Sequence, residues 1–318
     1  MMRVLVTGAA GYLGGVLVPA LLADSRISAV RGTDRITSPR MTGDSRYEHV
    51  EADLVGLSGD RLAALFDGVD VVIHLAFRMA PRPGEDLTAI NVDAQTRFLG
   101  EAVRRTRRVI VASAAAAYGF DATRDPINGR VTEDAPLARA GVEYADQKQS
   151  LERLLDQLSA EGPAAVVRAR PTNVAGPGID PKRAPQLTGA MMLAPQTAHP
   201  IRQQLLHEAD MASGFLALLD APPGAYNIAP DDWMTLEQAA ALLGQRYLAL
   251  PGWMLRPLVD LAWRGGRSLF DGSWLTFLEN PPIILANDKL KALGWQPRFT
   301  TRDTLLAVHQ RFNETCGL

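Results

Sequence analysis

The sequence predicts an α/β protein: a doubly wound parallel sheet followed by a smaller, mostly helical C-terminal region. Three observations predict it. Short runs that are apolar on both faces recur along residues 1–170, helical stretches separate them, and the rhythm breaks at Pro171. A strand that is apolar throughout needs cover on both faces, which the crossover helices of a parallel sheet supply.

Taken in order, RVLVT (Arg3–Thr7) reads as a buried strand and Gly11–Ala23 as an apolar helix. Ala29–Asp34 is a strand, Leu62–Phe66 lies in a short helix, and VDVVIHLA (Val69–Ala76) reads as one continuous apolar strand. Ala89–Arg104 has apolar positions at helical spacing and leads into the strand Val109–Ser113. A long helix covers about Tyr144–Leu158, and Ala164–Arg170 is another strand. Short right-handed crossovers then make residues 1–170 a dinucleotide-binding domain. Residues 171–318 form a substrate-binding region on the C-terminal edge of the sheet, to which the chain can cross back. Prolines and glycines crowd Pro171–Pro200, and Ala225–Ala229 is a short strand. A helix over Leu236–Leu243 starts after Thr235, with Glu237 and Gln238 in its first turn, and one over Asn287–Leu293 ends at Gly294 as C-cap.

Composition narrows the class. The 318 residues are 47% hydrophobic, with 33 Lys+Arg against 35 Asp+Glu and a formal charge of −2. Such a chain can bury a core, and its overall charge predicts no nucleic acid or anionic membrane partner. A single cysteine, Cys316, excludes a disulfide within the chain and a cysteine zinc site. No His/Asp/Glu cluster has metal-ligand spacing, so no metal is expected; His49, His199, His207 and His309 stand alone. No apolar run reaches the roughly 18 residues a membrane span needs. MMRVLVTG runs straight into the first strand, leaving no signal peptide, so a soluble cytoplasmic protein is expected.

The first motif is Thr7-Gly8-Ala9-Ala10-Gly11-Tyr12-Leu13-Gly14, between the first strand and first helix. There Gly8 allows the sharp turn, Gly11 lets backbone approach a pyrophosphate, and Gly14 permits close helix packing. The helix N-terminus offers N–H groups to the phosphates. Asp34, twenty residues after Gly14, ends the second strand, where a carboxylate binds both ribose hydroxyls and repels a 2′-phosphate. NAD is therefore expected over NADP, although Arg35 beside it is of the type that accommodates a 2′-phosphate. Asp53-Leu54 would border the adenine, and Leu75-Ala76 the adenosine ribose. His74, between them, is expected to be a hydrogen-bonded structural histidine.

The second motif is Tyr144-Ala-Asp-Gln-Lys148, which sets a phenol and an ammonium four residues apart on one helical face. An ammonium at that distance is expected to lower the tyrosine pKa and make it a proton donor and acceptor near neutral pH.

TGAAGYLG, Asp34, Asp53-Leu54, His74-Leu75-Ala76, Asn91-Val92, ASAAAAYG (112–119) and YADQK together resemble an extended short-chain dehydrogenase/reductase of the NAD-dependent epimerase/dehydratase family. RARPTNVAGPG (168–178), LHEADMASG (206–214) and the segments at 224–244 and 287–305 extend the likeness over nearly the whole chain. The resemblance implies that Tyr144 is the acid/base and that Lys148 holds the nicotinamide ribose and tunes it. It implies that Asn91 supports the active-site water and lysine, and that Pro171, Asn173 and Val174 lie beside the nicotinamide. It also implies a homodimer packed through the helices at 89–104 and 144–158. The family places Ser or Thr four residues before the tyrosine of its Tyr-Gly pair, and counting back from Tyr118 gives Ala114, preceded by Ser113. Three explanations stay open: Ser113 takes the role, the hydroxyl is naturally absent, or it was substituted to trap a complex. Thr172 is a further substitute.

Three activities compete. A simple NAD(P)-dependent oxidoreductase would move a hydride between nicotinamide and a carbonyl or alcohol carbon of a small-molecule substrate. An epimerase or dehydratase would use that step transiently on a nucleotide sugar. A crippled dinucleotide-binding protein is the third reading. Gly178–Leu206 is short and largely apolar, with Lys182, Arg183 and Arg202 as its only basic residues. Together with Trp233, Trp253, Met254, Trp263 and Trp274, this favours a small or hydrophobic substrate over a sugar diphosphate.

Overall fold

A computed structural model describes the chain except residues 38–42, 80–85, 126, 180–190, 267, 269 and 317–318, so Lys182 and Arg183 lie outside the described residues. Its central sheet has seven parallel strands: β1 (Met2–Thr7), β2 (Ile27–Asp34), β3 (Tyr47–Glu51), β4 (Val71–His74), β5 (Arg108–Ala112), β6 (Ala165–Pro171) and a seventh, Gly224–Ile228. The spatial order is β3-β2-β1-β4-β5-β6 and then Gly224–Ile228, so the order reverses between β1 and β4. In open sheets of this kind that reversal is where ligands bind.

Strict alternation explains the doubly apolar strands. Val4, Val6, Ile73 and Ile110 face a core built with Leu17 and Leu21 of α1 (Tyr12–Ala23) and Met211 and Phe215 of the helix Glu208–Ala217. Leu5, Val72, Val109 and Val111 face the other way, against Phe98 and Leu99 of α3 (Ala94–Arg105) and Leu151 and Leu155 of α4 (Glu143–Glu161). The short helix α2 (Gly59–Ala64) covers the same face through Leu62. Each fully buried side chain of this size contributes about 1.5–3 kcal/mol.

Two predicted elements differ in detail. The run read as one strand from Val69 to Ala76 forms a ladder only over Val71–His74. Val69 belongs to a turn, its N–H donating to Phe66 O, and beyond His74 the Ala76 N–H turns to Thr7 Oγ1. The helix read from Ala89 opens as a π-helical turn, Ala89–Asp93, before α3 begins.

Among the described residues of the remainder of the chain, helices are interleaved with three small strand pairs. These are Asn173–Ala175 with Leu205–His207, Met191–Pro195 with Arg246–Leu250, and Arg202–Gln203 with Met234–Thr235. Helix Leu236–Leu242 starts on a capping box: Thr235 Oγ1 accepts the Gln238 N–H and Gln238 Oε1 accepts the Thr235 N–H. Such a cap is worth about 1 kcal/mol. Gly294 closes the helix Asp288–Lys291 at φ +89°, donating its N–H to Lys291 O.

Candidate active site

The glycine turn is shaped by what cannot fit. Gly8 has φ +69°, and a Cβ there would lie 2.9 Å from Ala76 N. A Cβ on Gly14 would lie 2.3 Å from Gly8 O, so the first turn of α1 packs directly on the loop backbone. Gly11 caps α1 without any side chain, leaving the helix N-terminus to backbone N–H groups. Asp34 reaches this turn: its Oδ2 accepts the Ala10 N–H at 3.1 Å and its Oδ1 accepts the Arg35 N–H at 2.7 Å. Asp53 is exposed and accepts the Val55 N–H, while Leu54 packs against the α3/α4 core. Leu75 and Ala76 pass beside Gly8, and Leu13 packs into the α1 core.

Other groups near the turn are committed elsewhere. His74 is buried, pairs through Nδ1 with Thr7 Oγ1 at 2.8 Å and stacks on Phe98; burial, helped by the Lys148 charge, pulls it down to about 3. A histidine so placed is neutral and structural. The Tyr12 hydroxyl donates to Glu208 Oε2 at 2.6 Å, and Glu208 also accepts the Gly178 N–H, tying the turn to the C-terminal region.

Tyr144 and Lys148 share a face of α4, as their spacing predicts, yet the lysine does not act on the phenol as expected. Lys148 Nζ donates to Ala112 O at 2.8 Å and sits 3.5 Å above the centre of the Phe77 ring, but 6.0 Å from that of Tyr144. Burial therefore decides both groups: it pushes the Tyr144 phenol up and pulls Lys148 down to about 7, with Glu152 opposing the latter. The expected lowering of the tyrosine pKa is absent because the ammonium points at a carbonyl and an aromatic face.

An aromatic enclosure surrounds Tyr144. Phe77 lies 5.6 Å away with its ring nearly perpendicular to the phenol, and Trp274 stacks on it at 5.3 Å with 28° between the planes. Phe270 and Phe277 back Trp274, and Phe120 backs Phe277. Trp274 sits in a 3₁₀ turn (Gly272–Leu275), 130 residues from Tyr144, and no local spacing joins them. The sequence marks it only as one of several tryptophans, and Phe77 escaped notice because it follows the strand signal.

The remaining candidates divide. Asn91, buried in the π-helical turn, holds the backbone of Arg78 through both amide atoms and donates to Gln147 Oε1 at 2.7 Å. It thus supports the residue before Lys148 and has no hydrogen bond to the lysine itself. Ser113 is buried beside Glu152, and its hydroxyl helps to hold the Glu152 carboxyl down. Although burial opposes it, Arg170 holds the Glu152 carboxyl below the usual range through two hydrogen bonds of 2.8 and 2.9 Å. Ala114 has extended backbone and opens the 3₁₀ turn Ala115–Tyr118, which rests on α4 through Ala116 and Ala145. The Thr172 hydroxyl is taken by Gln204 O. Pro171 ends β6, Asn173 is exposed, and Val174 packs against the α1 core. Arg202 is buried over the Trp233 ring and donates through Nη1 to Ile127 O, while its Nε and Nη2 have no hydrogen-bond partner among the described residues. Among the described residues no cluster could hold a metal ion.

The model of the NAD dependent epimerase/dehydratase family matches residues 4–229. A UDP-glucose 4-epimerase of Mycolicibacterium smegmatis is 34% identical over 194 residues, covering 57% of this chain and 58% of that protein. An uncharacterised protein of Mycobacterium tuberculosis is 28% identical over 312 residues, covering 94% of this chain and 81% of the other. The chain also has the fold of a Streptomyces venezuelae dTDP-glucose 4,6-dehydratase crystallised with NAD, at a TM-score of 0.75 and 23% identity over 99% of this chain and 98% of that one.

Proposed function

We propose that this chain, which belongs to the NAD-dependent epimerase/dehydratase family, binds NAD and acts as an oxidoreductase on a carbonyl or alcohol carbon of a small or hydrophobic substrate. The observation that carries the substrate reading is the enclosure of the Tyr144 phenol between the perpendicular Phe77 ring and the Trp274 face. Apolar walls on both sides suit a substrate that sheds little hydration on entry.

The chain fits the cofactor. Gly8 and Gly14 let the turn close on Ala76 and on its own backbone, and Gly11 caps α1 without a side chain, leaving the Tyr12 and Leu13 N–H groups at the helix start for a pyrophosphate. Asp34 stands at the turn to take the ribose diol, with Arg35 beside it. Asp53, Leu54, Leu75 and Ala76 would border the adenosine; Tyr144, Lys148, Pro171, Asn173 and Val174 would face the nicotinamide half. When bound, NAD supplies the hydride acceptor or donor. Tyr144 holds its proton at neutral pH as a phenol ordinarily does, desolvation pushes its pKa further up, and it serves as the acid toward a substrate oxygen. Lys148 carries a divided charge near pH 7, and a swing of its ammonium from Ala112 O toward the phenol would ease proton loss in the reverse direction. Asn91 positions this part of α4 through Gln147. Phe77 and Trp274 exclude water.

An epimerase or dehydratase reading is favoured by the 34% identity to a UDP-glucose 4-epimerase. Against it stands the apolar enclosure of Tyr144 by Phe77 and Trp274, although Arg202 Nε and Nη2, buried without a hydrogen-bond partner among the described residues, would suit a diphosphate. Cofactor retention separates the two. NAD that exchanges freely on gel filtration supports the oxidoreductase, whereas tightly held NAD supports transient hydride chemistry. In either case Tyr144→Phe should abolish turnover and leave NAD affinity nearly unchanged. Retention of most activity by Tyr144→Phe would remove Tyr144 from the acid/base role. We infer a homodimer through α3 and α4 for the same reading.

A further inference from the structure

The helix Gly252–Arg264 is inside out. Its polar side chains face the protein: Asp260 Oδ1 accepts the Gly272 N–H at 2.7 Å, and Arg256 donates to Gly272 O at 2.9 Å and pairs with Glu279. Leu255 is its only buried apolar residue. Apart from Arg264 at its end and the partly exposed Arg256 side chain paired with Glu279, the exposed residues of the helix are apolar: Trp253, Met254, Pro257, Leu258, Leu261 and Trp263. Positions 254, 257, 258 and 261 recur at i, i+3, i+4 and i+7, a single stripe down the helix. The exposures are large, at 77% for Trp253, 69% for Leu261 and 51% for Leu258. Leu248 of the preceding strand and its ladder partner Leu193 are also exposed.

Two features choose the occupant. Over residues 246–266 the exposed ionisable residues are Arg246 and Arg264, both basic, and the partly exposed Arg256 side chain is paired with Glu279. The chain's overall charge of −2 hides this local sign. The patch is also too small for a stable protein partner, since one helix with two flanking leucines falls far short of the roughly 20–30 residues a side that such interfaces use. Leucine and methionine on one helical face, flanked by Trp253 at the helix start and bordered by arginine, is a pattern that lies flat at the boundary of headgroups and acyl chains. We propose that this helix docks the protein on an anionic lipid surface without crossing it; no helix among the described residues is long and apolar enough to cross. Its inward face grips both backbone groups of Gly272, the first residue of the turn that stacks Trp274 on Tyr144. Docking would thus set the aromatic enclosure close to the membrane, where an apolar substrate concentrates.

The experiment is co-sedimentation of the full chain with phosphatidylcholine vesicles, with and without one-quarter phosphatidylglycerol. Binding to the anionic vesicles, weakened by salt, is expected. Leu258→Glu with Leu261→Glu should cut the bound fraction at least tenfold without changing the unfolding midpoint or NAD affinity. Arg246→Glu with Arg264→Glu should remove the preference for phosphatidylglycerol. A wild-type protein that stays in the supernatant overturns the proposal, as does a leucine pair variant that binds as well as wild type. A lipid-free dimer that the leucine pair variant dissolves, seen by sedimentation velocity, would overturn it in favour of an interface between copies. Tyr144→Phe should bind vesicles like wild type, so failure here and failure of the proposed chemistry are read separately.

Discussion

Replacing Lys148 with methionine should stabilise the cofactor-free protein at neutral pH while removing its activity. Lys148 is buried, and its pKa falls from 10.5 in the free side chain to about 7 in the fold. Below about pH 7 the lysine is charged in both folded and unfolded chains, and the whole burial penalty weighs on the fold. Above about pH 10.5 it is neutral in both and the penalty is gone. Between them only the unfolded chain holds the proton, so wild-type stability should rise with pH by up to roughly 1.4 kcal/mol per unit. The variant has no such group, and the wild type should therefore gain about 2–3 kcal/mol on it between pH 7 and pH 9. At pH 7 the loss of the bond to Ala112 O and of the contact over Phe77 offsets part of the relief, leaving the variant ahead by about 2 kcal/mol. Urea unfolding of both proteins at the two pH values, without cofactor, measures this. Parallel stability profiles, or a variant less stable than wild type at pH 7, would refute the reasoning.

Wild type should bind NAD more tightly than NADP in fluorescence titrations. Asp34→Ala should weaken NAD by about 10- to 100-fold, the worth of hydrogen bonds to a charged group. Because Asp34 also accepts the Ala10 N–H, some loss for both cofactors is expected, and the NAD/NADP ratio is the informative quantity; a wild-type preference for NADP would hand the role to Arg35. Ala114→Ser should raise the single-turnover rate at least tenfold and as much as about 10²–10³, by restoring a donor to the developing oxyanion. Ser113→Ala should change little, since its hydroxyl is buried beside Glu152; loss of activity there would make Ser113 the donor.

Local physics made much of this protein legible in its sequence. The glycine spacing specifies a turn whose backbone tolerates no Cβ at Gly8 or Gly14, because the clashes are with atoms of the turn itself or of the adjacent strand end. The i, i+4 spacing puts Tyr144 and Lys148 on one helical face, and the capping box at Thr235 and Gln238 is closed by neighbours. Doubly apolar strands require a covered parallel sheet. Tertiary structure alone decided what those residues meet. The ammonium of Lys148 turns to Ala112 O and Phe77, and Trp274 arrives over Tyr144 from 130 residues away. The seventh strand comes from Gly224–Ile228, and a stripe of apolar residues on Gly252–Arg264 faces outward. Periodicity fixes which side chains share a face, but not what that face packs against. That depends on burial summed over distant segments, and so do the pKa values of a phenol and an ammonium taken out of water.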